Sequence, residues 1–198
     1  KEIKKLPLGN YIIHYKEVDI EKGYIKPDDI VIQLIDTRRT QTVRIEQAYT
    51  KVNINLIDKE TKEGITGAKL EIKDKEGNKV GESWITEGKA HLIEKLPVGE
   101  YYLEEKEAPT KEGYVKTKEV FFKVEETEEI QIVEMLQDYT QINIELKDEE
   151  SNETIKDIEL IIKDKDGNEI GKVTTKEEGE ILERLPVGDY IIESVKVP

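Results

Sequence analysis

The stretch LPVGEYYLEEKEAPTKEGY, residues 96–114, decides the fold because its opening phrase occurs three times in the chain. The phrase reads KLPLGNY at 5–11, KLPVGEY at 95–101 and RLPVGDY at 184–190. The three Leu-Pro pairs are spaced 90 and 89 residues apart. A fixed period of this kind in a chain of 198 residues indicates tandem copies of one structural unit.

The similarity between the copies extends well beyond this phrase. VNINLIDKETKEGITGAKLEIKDKEGNKVGE at 52–82 aligns with INIELKDEESNETIKDIELIIKDKDGNEIGK at 142–172. In the same way, LPLGNYIIHYKEVDIEKGYIKPDD at 6–29 aligns with residues 96–119. The two alignments together define a repeat of about 90 residues.

The dipeptide Tyr49-Thr50 recurs as Tyr139-Thr140, and these two positions are the natural joints between repeats. They predict three segments: the C-terminal half of a repeat at 1–49, a complete repeat at 50–139 and the N-terminal half of a repeat at 140–198.

Each repeat carries the pattern of short β-strands. KVNINLI, residues 51–57, places Val52, Ile54 and Leu56 on one face and polar residues on the other, with the period of two that is typical of a half-buried strand. AKLEIKD and VGESWI flank a Gly-Asn turn, which predicts a hairpin. The complete repeat contains about seven such strands and no sustained helical period, so we predict tandem all-β sandwiches.

Composition excludes several classes of function. The net charge of −14 gives the chain no electrostatic reason to bind nucleic acid or an anionic membrane. Cysteine is absent, which excludes disulfides and thiolate chemistry. There is no apolar run long enough for membrane insertion and no signal-peptide pattern at the start, so the chain is either cytosolic or a piece of a longer processed protein.

Residues 96–114 resemble the B-type repeat of Gram-positive collagen adhesins, also known as SpaA-like or prealbumin-like domains. These repeats carry a motif of the form L-P-x-G-x-Y-x-L-x-E-x-x-A-P-x-G-Y, and LIDKETKEGITGAKLEIKDKEGN at 56–78 resembles the start of the same domain. The resemblance covers the complete repeat and both halves.

This resemblance implies a non-catalytic structural segment of an extracellular fibre, stalk or adhesin on a Gram-positive cell surface or cell wall. Its expected partners are neighbouring copies of the same repeat or chain, without nucleic acid or membrane insertion. The alternative is a ligand-binding adhesin module that recognises host matrix or carbohydrate, which a loop insertion or exposed aromatic patch in one repeat would favour.

Many family members form an isopeptide bond between a Lys in the first strand and an Asn or Asp in the last, assisted by a buried Glu. Transferred position by position, the Glu falls on Glu105, but the Lys position falls on Leu56. Gln137 or Asp138 lies near the acceptor position. The complete repeat therefore lacks the amine, and we expect no Lys-derived cross-link. Glu105 is expected to reach partial solvent, meet a hydroxyl or remain protonated.

The two half-repeats also lack the full set of residues that the isopeptide bond requires. The Lys position of the third segment falls on Leu146, with Lys147 facing the opposite way. The Glu position falls on Tyr15 in the first segment and Ser194 in the third. Gln47 lies near the acceptor position of the first segment. An ester between Thr50 and Gln137 is a further alternative, set against a structural role for both residues.

Other candidate residues have simpler interpretations. His14 and His91 lie far apart and lack metal-ligand spacing, so we predict no metal site. The DKDGNE segment at 164–169 is better explained as a hairpin turn than as a calcium loop. Trp84 is expected in the core or at its rim. We find no catalytic constellation and predict no cofactor and no enzymatic activity.

The two terminal halves raise a separate question, because a half-sandwich leaves open strand edges and an uncovered apolar face. Either the chain is a fragment, or the C-terminal half of one chain completes the N-terminal half of the next and builds a filament head to tail.

Overall fold

The computed structural model describes residues 6–195, and almost all of its regular structure is β-strand. The first segment contains β1 (Gly9–Ile13) and β2 (Ile30–Leu34). The middle segment contains β3 (Lys51–Asp58), β4 (Thr66–Asp74), β5 (Lys79–Glu87), β6 (His91–Glu94), β7 (Gly99–Glu107), β8 (Tyr114–Val115), β9 (Val120–Val124) and β10 (Ile130–Tyr139). The third contains β11 (Gln141–Ile144), β12 (Glu159–Asp164), β13 (Glu169–Thr174), β14 (Glu180–Glu183) and β15 (Tyr190–Ser194).

The middle repeat is a sandwich of two four-stranded sheets. One sheet has the strand order β6-β3-β10-β8, and the other has the order β5-β4-β7-β9. Strand β3 alternates strictly between buried and half-buried residues, as its sequence pattern predicts. The inward side chains of the two sheets form one core: Val52, Ile54, Leu56, Ile65, Ala68, Leu70, Ile72, Leu96, Tyr101, Leu103, Phe122, Val124, Val133 and Met135. The predicted all-β sandwich is confirmed.

The middle repeat has eight strands, whereas the sequence pattern predicted about seven. The additional strand is β8, which has only two residues and pairs with the end of β10 through Val115 with Asp138 and Tyr114 with Tyr139. Two residues are too few to show a period in the sequence. A 3-10 turn at Thr110–Glu112 leads into it and ends at Gly113, which has φ of 77°.

The first and last long strands of the middle repeat, β3 and β10, lie side by side and run parallel. Their register extends from Lys51 opposite Ile130 to Asp58 opposite Gln137. The other strand pairs of the chain are antiparallel. The chain therefore enters and leaves the repeat on neighbouring strands, at opposite ends of the sandwich.

The repeated Leu-Pro phrase makes the same local structure in all three copies. In each, the tyrosine hydroxyl donates a hydrogen bond to the carbonyl of the proline four residues earlier: Tyr11 to Pro7 at 2.7 Å, Tyr101 to Pro97 at 2.9 Å and Tyr190 to Pro186 at 2.5 Å. The bond ties the turn to the strand that follows it, which accounts for the fixed spacing of Pro and Tyr.

The third segment builds only part of a sandwich. Its sheets are β13-β12-β15 and β11-β14, and its core contains Ile144, Leu160, Ile162 and Val173. Leu103 of the middle repeat is fully buried, whereas Ile192 at the same position of the third segment is 48% exposed. The inward face of this segment is therefore partly uncovered.

The described part of the first segment buries even fewer hydrophobic residues than the third. Its one two-stranded sheet is β1-β2, and Ile25 is its one buried hydrophobic residue. Residues 40–48 have the sequence pattern of β10 but form no strand. A β10-type strand needs a β3-type neighbour, and no such neighbour is present among residues 6–49.

Candidate functional site

The position of the family cross-link lies in the core of the middle repeat. Leu56 is 4% exposed and belongs to the hydrophobic cluster, and Met135 of β10 lies opposite it in register. Glu105 of β7 and Gln137 of β10 are both fully buried. The apolar Leu56 thus occupies the strand position where the resemblance would place an amine.

Glu105 is held by two donors and by no hydroxyl. Its Oε2 accepts hydrogen bonds from the backbone N–H of Thr117 at 2.7 Å and from the Gln137 amide at 3.1 Å, while its Oε1 has no partner. Burial raises the pKa of Glu105, and the two donors only partly oppose this shift. Of the three alternatives predicted for Glu105, partial solvent and a hydroxyl partner are wrong, because the side chain is fully buried and its partners are a backbone N–H and an amide. The raised pKa favours the third alternative, a protonated carboxyl group.

The structure separates the two residues that the sequence left as possible acceptors. Gln137 points inward, whereas Asp138 points outward and forms an ion pair with Lys59 at 2.6 Å. The Gln137 amide also donates to the Val115 carbonyl at 2.5 Å. The inward glutamine therefore ties the end of β10 to β8.

The first segment repeats this amide bond. Gln47 donates to the carbonyl of Ile25 at 2.6 Å, and these residues occupy the positions of Gln137 and Val115. Tyr15 stands where the middle repeat has Glu105, so the carboxyl group is the part that differs. The glutamine has a structural role in both copies.

The arrangement offers little chemistry of its own. A carboxyl group and an amide meet in the core without a nucleophile beside them on β3, since Leu56 is apolar. In the third segment Leu146 again replaces the amine, and Lys147 is exposed and pairs with Glu145 at 2.9 Å. Ser194 is also exposed.

Thr50 and Gln137 lie at opposite ends of the paired strands, which excludes an ester between them. Thr50 precedes Lys51, which lies opposite Ile130, so seven residues of β10 separate it from Gln137. At about 3.3 Å per residue this distance is roughly 23 Å. The buried Thr50 hydroxyl instead donates to the Leu96 carbonyl at 2.6 Å.

The remaining candidates have local structural roles. His14 is exposed and contacts Asp29 at 2.6 Å. His91 stacks on Trp84 with ring centroids 4.5 Å apart, and burial lowers the pKa of His91. Trp84 packs against the core of the middle repeat, and an open groove of about 420 Å³ runs beside it.

The DKDGNE segment forms the tight hairpin between β12 and β13. Asp164 accepts hydrogen bonds from the backbone N–H groups of Asp166 and Asn168, both at 2.9 Å, and from the Asn168 amide at 2.9 Å. In residues 6–195, no three His, Cys, Asp or Glu side chains come together as a metal site. No helix in that range is long and apolar enough to cross a membrane.

One cluster of side chains was not predicted from the sequence. Asp58, Tyr114 and Arg184 meet where the middle repeat joins the third segment, with Arg184 Nη1 2.6 Å from Asp58 Oδ2. The signal in the sequence was the basic residue that stands before each Leu-Pro pair.

Strand order, register and repeat period define a class of protein: tandem prealbumin-like β-sandwich repeats of about 90 residues. The family described as "SpaA: Prealbumin-like fold domain" matches residues 50–138 and 140–198. The chain belongs to this SpaA family.

Several solved structures are similar to this chain at low sequence identity. The Bacillus anthracis TIE protein is 22% identical with a TM-score of 0.53, and the match covers 97% of this chain and 37% of that one. A streptococcal ancillary pilin is 15% identical with a TM-score of 0.43, and the match covers 98% and 68%. The D312A variant of BcpA, the major pilin subunit of Bacillus cereus, is 12% identical with a TM-score of 0.40, and the match covers 75% and 88%. Among curated proteins, none matches the chain.

Proposed function

We propose that this chain is a non-catalytic, load-bearing segment of an extracellular fibre or stalk on a Gram-positive cell surface. The family, the tandem repetition and the pilin descriptions of structural neighbours support this role. The observation that carries it is the parallel pairing of β3 with β10, because this geometry resists a pull along the chain.

The mechanical argument follows from where force enters the repeat. Load along the chain acts at the start of β3 and at the end of β10, and the two strands are parallel neighbours over eight residue pairs. The load therefore shears the two strands past each other and is shared among all of their hydrogen bonds. A pull at two residues opposite each other would break the same kind of bonds one after another.

Single-molecule pulling tests this proposal, and the absence of cysteine allows attachment at chosen positions. Handles at Lys51 and Tyr139 are expected to give an unfolding force several-fold higher than handles at Lys51 and Glu94. The second pair is the control, because these residues lie opposite each other on antiparallel β3 and β6 and the pull unzips them. Equal forces for the two geometries would contradict a load-bearing role.

We propose further that no Lys-derived bond reinforces the middle repeat, because Leu56 supplies no amine. Packing in place of a buried ionic cluster is energetically sound, since well-packed apolar residues often replace such clusters without loss of stability. The intact mass should equal the calculated mass, and a deficit of one ammonia or one water would contradict this proposal.

The uncovered halves suggest completion head to tail between copies of the chain. In the middle repeat β10 lies beside β3, whereas β11, the counterpart of β3, pairs only with β14 among the described strands. Residues 40–48 carry the inward pattern of β10, with Val43 and Ile45 in place of Val133 and Met135. We propose that β11 of one chain pairs in parallel with this segment of the next.

This completion has a structural requirement. Strands β1 and β15 both hold the position of β7, so only one of them can lie beside β12 in a completed sandwich. Because an isolated two-stranded sheet is marginal in water, we expect β1 to be displaced and β15 to remain beside β12. Strand β2 then pairs with β15 as β9 pairs with β7.

Light scattering over a range of concentrations tests the completion. The mass should rise with concentration, and Ile45→Asp should abolish the rise by placing a charge on the inward face. Arg44→Asp, one residue away on the outward face, is the matched control and should still associate. A monomer at every concentration would contradict the proposal.

A ligand-binding role is the second candidate. The stacked Trp84 and His91 occur in the middle repeat and not in the third segment, where Val173 and Glu180 hold their positions. This pair borders the open groove, and an aromatic pair in one repeat only is the feature that would favour an adhesin. We rank this role below the structural one because Trp84 packs against the core of the middle repeat.

A further inference from the structure

The joints between successive segments share one geometry. At the first joint, Thr50 donates its backbone N–H to the Gly23 carbonyl at 2.9 Å and accepts at its own carbonyl from the Lys95 N–H at 2.9 Å. At the second joint, Thr140 makes the same pair of bonds with Gly113 at 2.8 Å and Arg184 at 2.9 Å. Each joint threonine thus connects a turn of one repeat with the Leu-Pro turn of the next.

A basic side chain crosses each joint to a pair of tyrosines of the preceding repeat. The Lys95 amine lies 5.0 Å from the ring centre of Tyr24 and 5.3 Å from that of Tyr49. The guanidinium carbon of Arg184 lies 5.5 Å from the ring centre of Tyr114 and 4.1 Å from that of Tyr139. These distances are in the range of cation–π contacts.

The backbone has an unusual conformation at both basic residues: Lys95 and Arg184 each have φ of 60°, a left-handed conformation that is uncommon for residues other than glycine. Such conformations persist where the surrounding structure holds them. Opposite them stand Gly23 and Gly113, at φ of 69° and 77°. A methyl group at either glycine would overlap the backbone of Lys95 or Arg184.

The second joint adds a buried acid. Asp58 is 1% exposed and is the last residue of β3, where it accepts from the backbone N–H groups of Glu60 and Thr61 in the following loop at 2.9 Å each. Its Oδ2 contacts Arg184 Nη1 at 2.6 Å and the Tyr114 hydroxyl at 3.2 Å.

We propose that the end of each repeat is a docking surface for the next repeat, and that it fixes the two in one orientation. The surface consists of the glycine after the 3-10 turn, the tyrosine pair and, in the second joint, Asp58. The matching element of the next repeat is the basic residue before Leu-Pro. The orientation at the joints does not depend on the mechanical strength of the sandwich. Failure of this proposal would therefore leave the proposed load-bearing role untouched.

The joint has a chemical selectivity that follows from these groups. A planar guanidinium donates to Asp58 and the Tyr114 hydroxyl while its face covers Tyr139, whereas an ammonium is a point charge without that fork. Arg184 therefore fits the acid and the tyrosines that the middle repeat offers at the second joint better than a lysine would.

Distance measurement between two spin labels tests the proposal on the whole chain. Glu100→Cys in the middle repeat and Glu169→Cys in the third segment place labels at exposed strand positions on the two sides of the joint. The parent chain is expected to give one narrow distance peak. Gly113→Ala and Arg184→Ala should each replace this peak by a broad distribution, and Arg184→Lys should give an intermediate width.

Gly77→Ala is the matched control for Gly113→Ala. Gly77 has φ of 84°, so the substitution carries the same backbone strain, but no atom lies within 4 Å of the added methyl group. Its distance peak should remain narrow. Fluorescence of Trp84, the one tryptophan in the chain, verifies in every variant that the middle repeat is folded. An unchanged narrow peak in a folded Gly113→Ala chain would overturn the proposal, and so would a broad peak in the parent.

Discussion

Replacing the buried Asp58 with alanine is expected to destabilise the middle repeat by about 3 kcal/mol, because hydrogen bonds to buried charged groups are worth about 1.5–3 kcal/mol. The substitution removes the acceptor for two loop N–H groups, the Tyr114 hydroxyl and the Arg184 guanidinium at once. Denaturant unfolding followed by Trp84 fluorescence measures the effect.

Two comparisons isolate the contribution of the joint. Asp138→Ala removes an exposed ion pair with Lys59 and should cost at most about 1 kcal/mol. A double-mutant cycle of Asp58→Ala with Arg184→Ala should show a coupling of about 1–2 kcal/mol, since residues in direct contact are not additive. If Asp58→Ala costs no more than Asp138→Ala, the carboxylate does not support the joint.

The pH dependence of this contribution has a definite sign. The Arg184 guanidinium, followed by the loop N–H groups, lowers the pKa of Asp58 below its usual range. A carboxyl group whose pKa is lowered by folding stabilises the folded state fully above its unfolded pKa of about 4. That stabilisation is lost as the pH falls toward the folded pKa, so the difference between parent and Asp58→Ala should shrink in acid.

The sequence predicted the features that recur with a period and missed those that depend on two distant segments. Alternation in residues 51–57 predicted β3, and the repeated Tyr-Thr dipeptides predict where the joints lie. Strand β8 was missed because two residues show no period. The backbone N–H of Thr117, which follows this strand, binds Glu105, so two of the three alternatives for that carboxyl group, partial solvent and a hydroxyl partner, were wrong.

The contact between Asp58 and Arg184 was also missed because it joins two distant segments of the chain. The two residues are far apart in the chain, and neither stands out in a composition that is 38% charged. Their meeting depends on how one repeat is placed on the next, which no local pattern encodes. The recurrence of Lys95 and Arg184 before Leu-Pro was visible, but its meaning required the position of the preceding tyrosines.

Replacing Glu105 with glutamine is expected to stabilise the middle repeat at neutral pH by about 1–2 kcal/mol, the cost of a buried polar group that is incompletely paired. In the parent, Oε1 of Glu105 and Oε1 of Gln137 are both buried without a donor. A glutamine at 105 brings an amide donor to this group of acceptors and removes the charge.

The effect of Glu105→Gln should depend on pH in the direction opposite to that of Asp58. Burial raises the pKa of Glu105, so the parent folds most favourably while this carboxyl group is protonated and loses stability as the pH rises from the unfolded pKa, about 4.3, through the folded one. The gain from Glu105→Gln should therefore be absent below about pH 4 and reach its full value at higher pH.

Glu104→Gln provides a control of opposite sign on the adjacent, outward-facing residue. Its ion pair with Lys73 lowers the pKa of Glu104, so this substitution should reduce stability at neutral pH and have little effect in acid. Unfolding curves of the three proteins from pH 3 to pH 8 compare the two cases directly. A Glu105→Gln variant that is less stable than the parent at neutral pH would show that the carboxylate is needed in the core in its charged form.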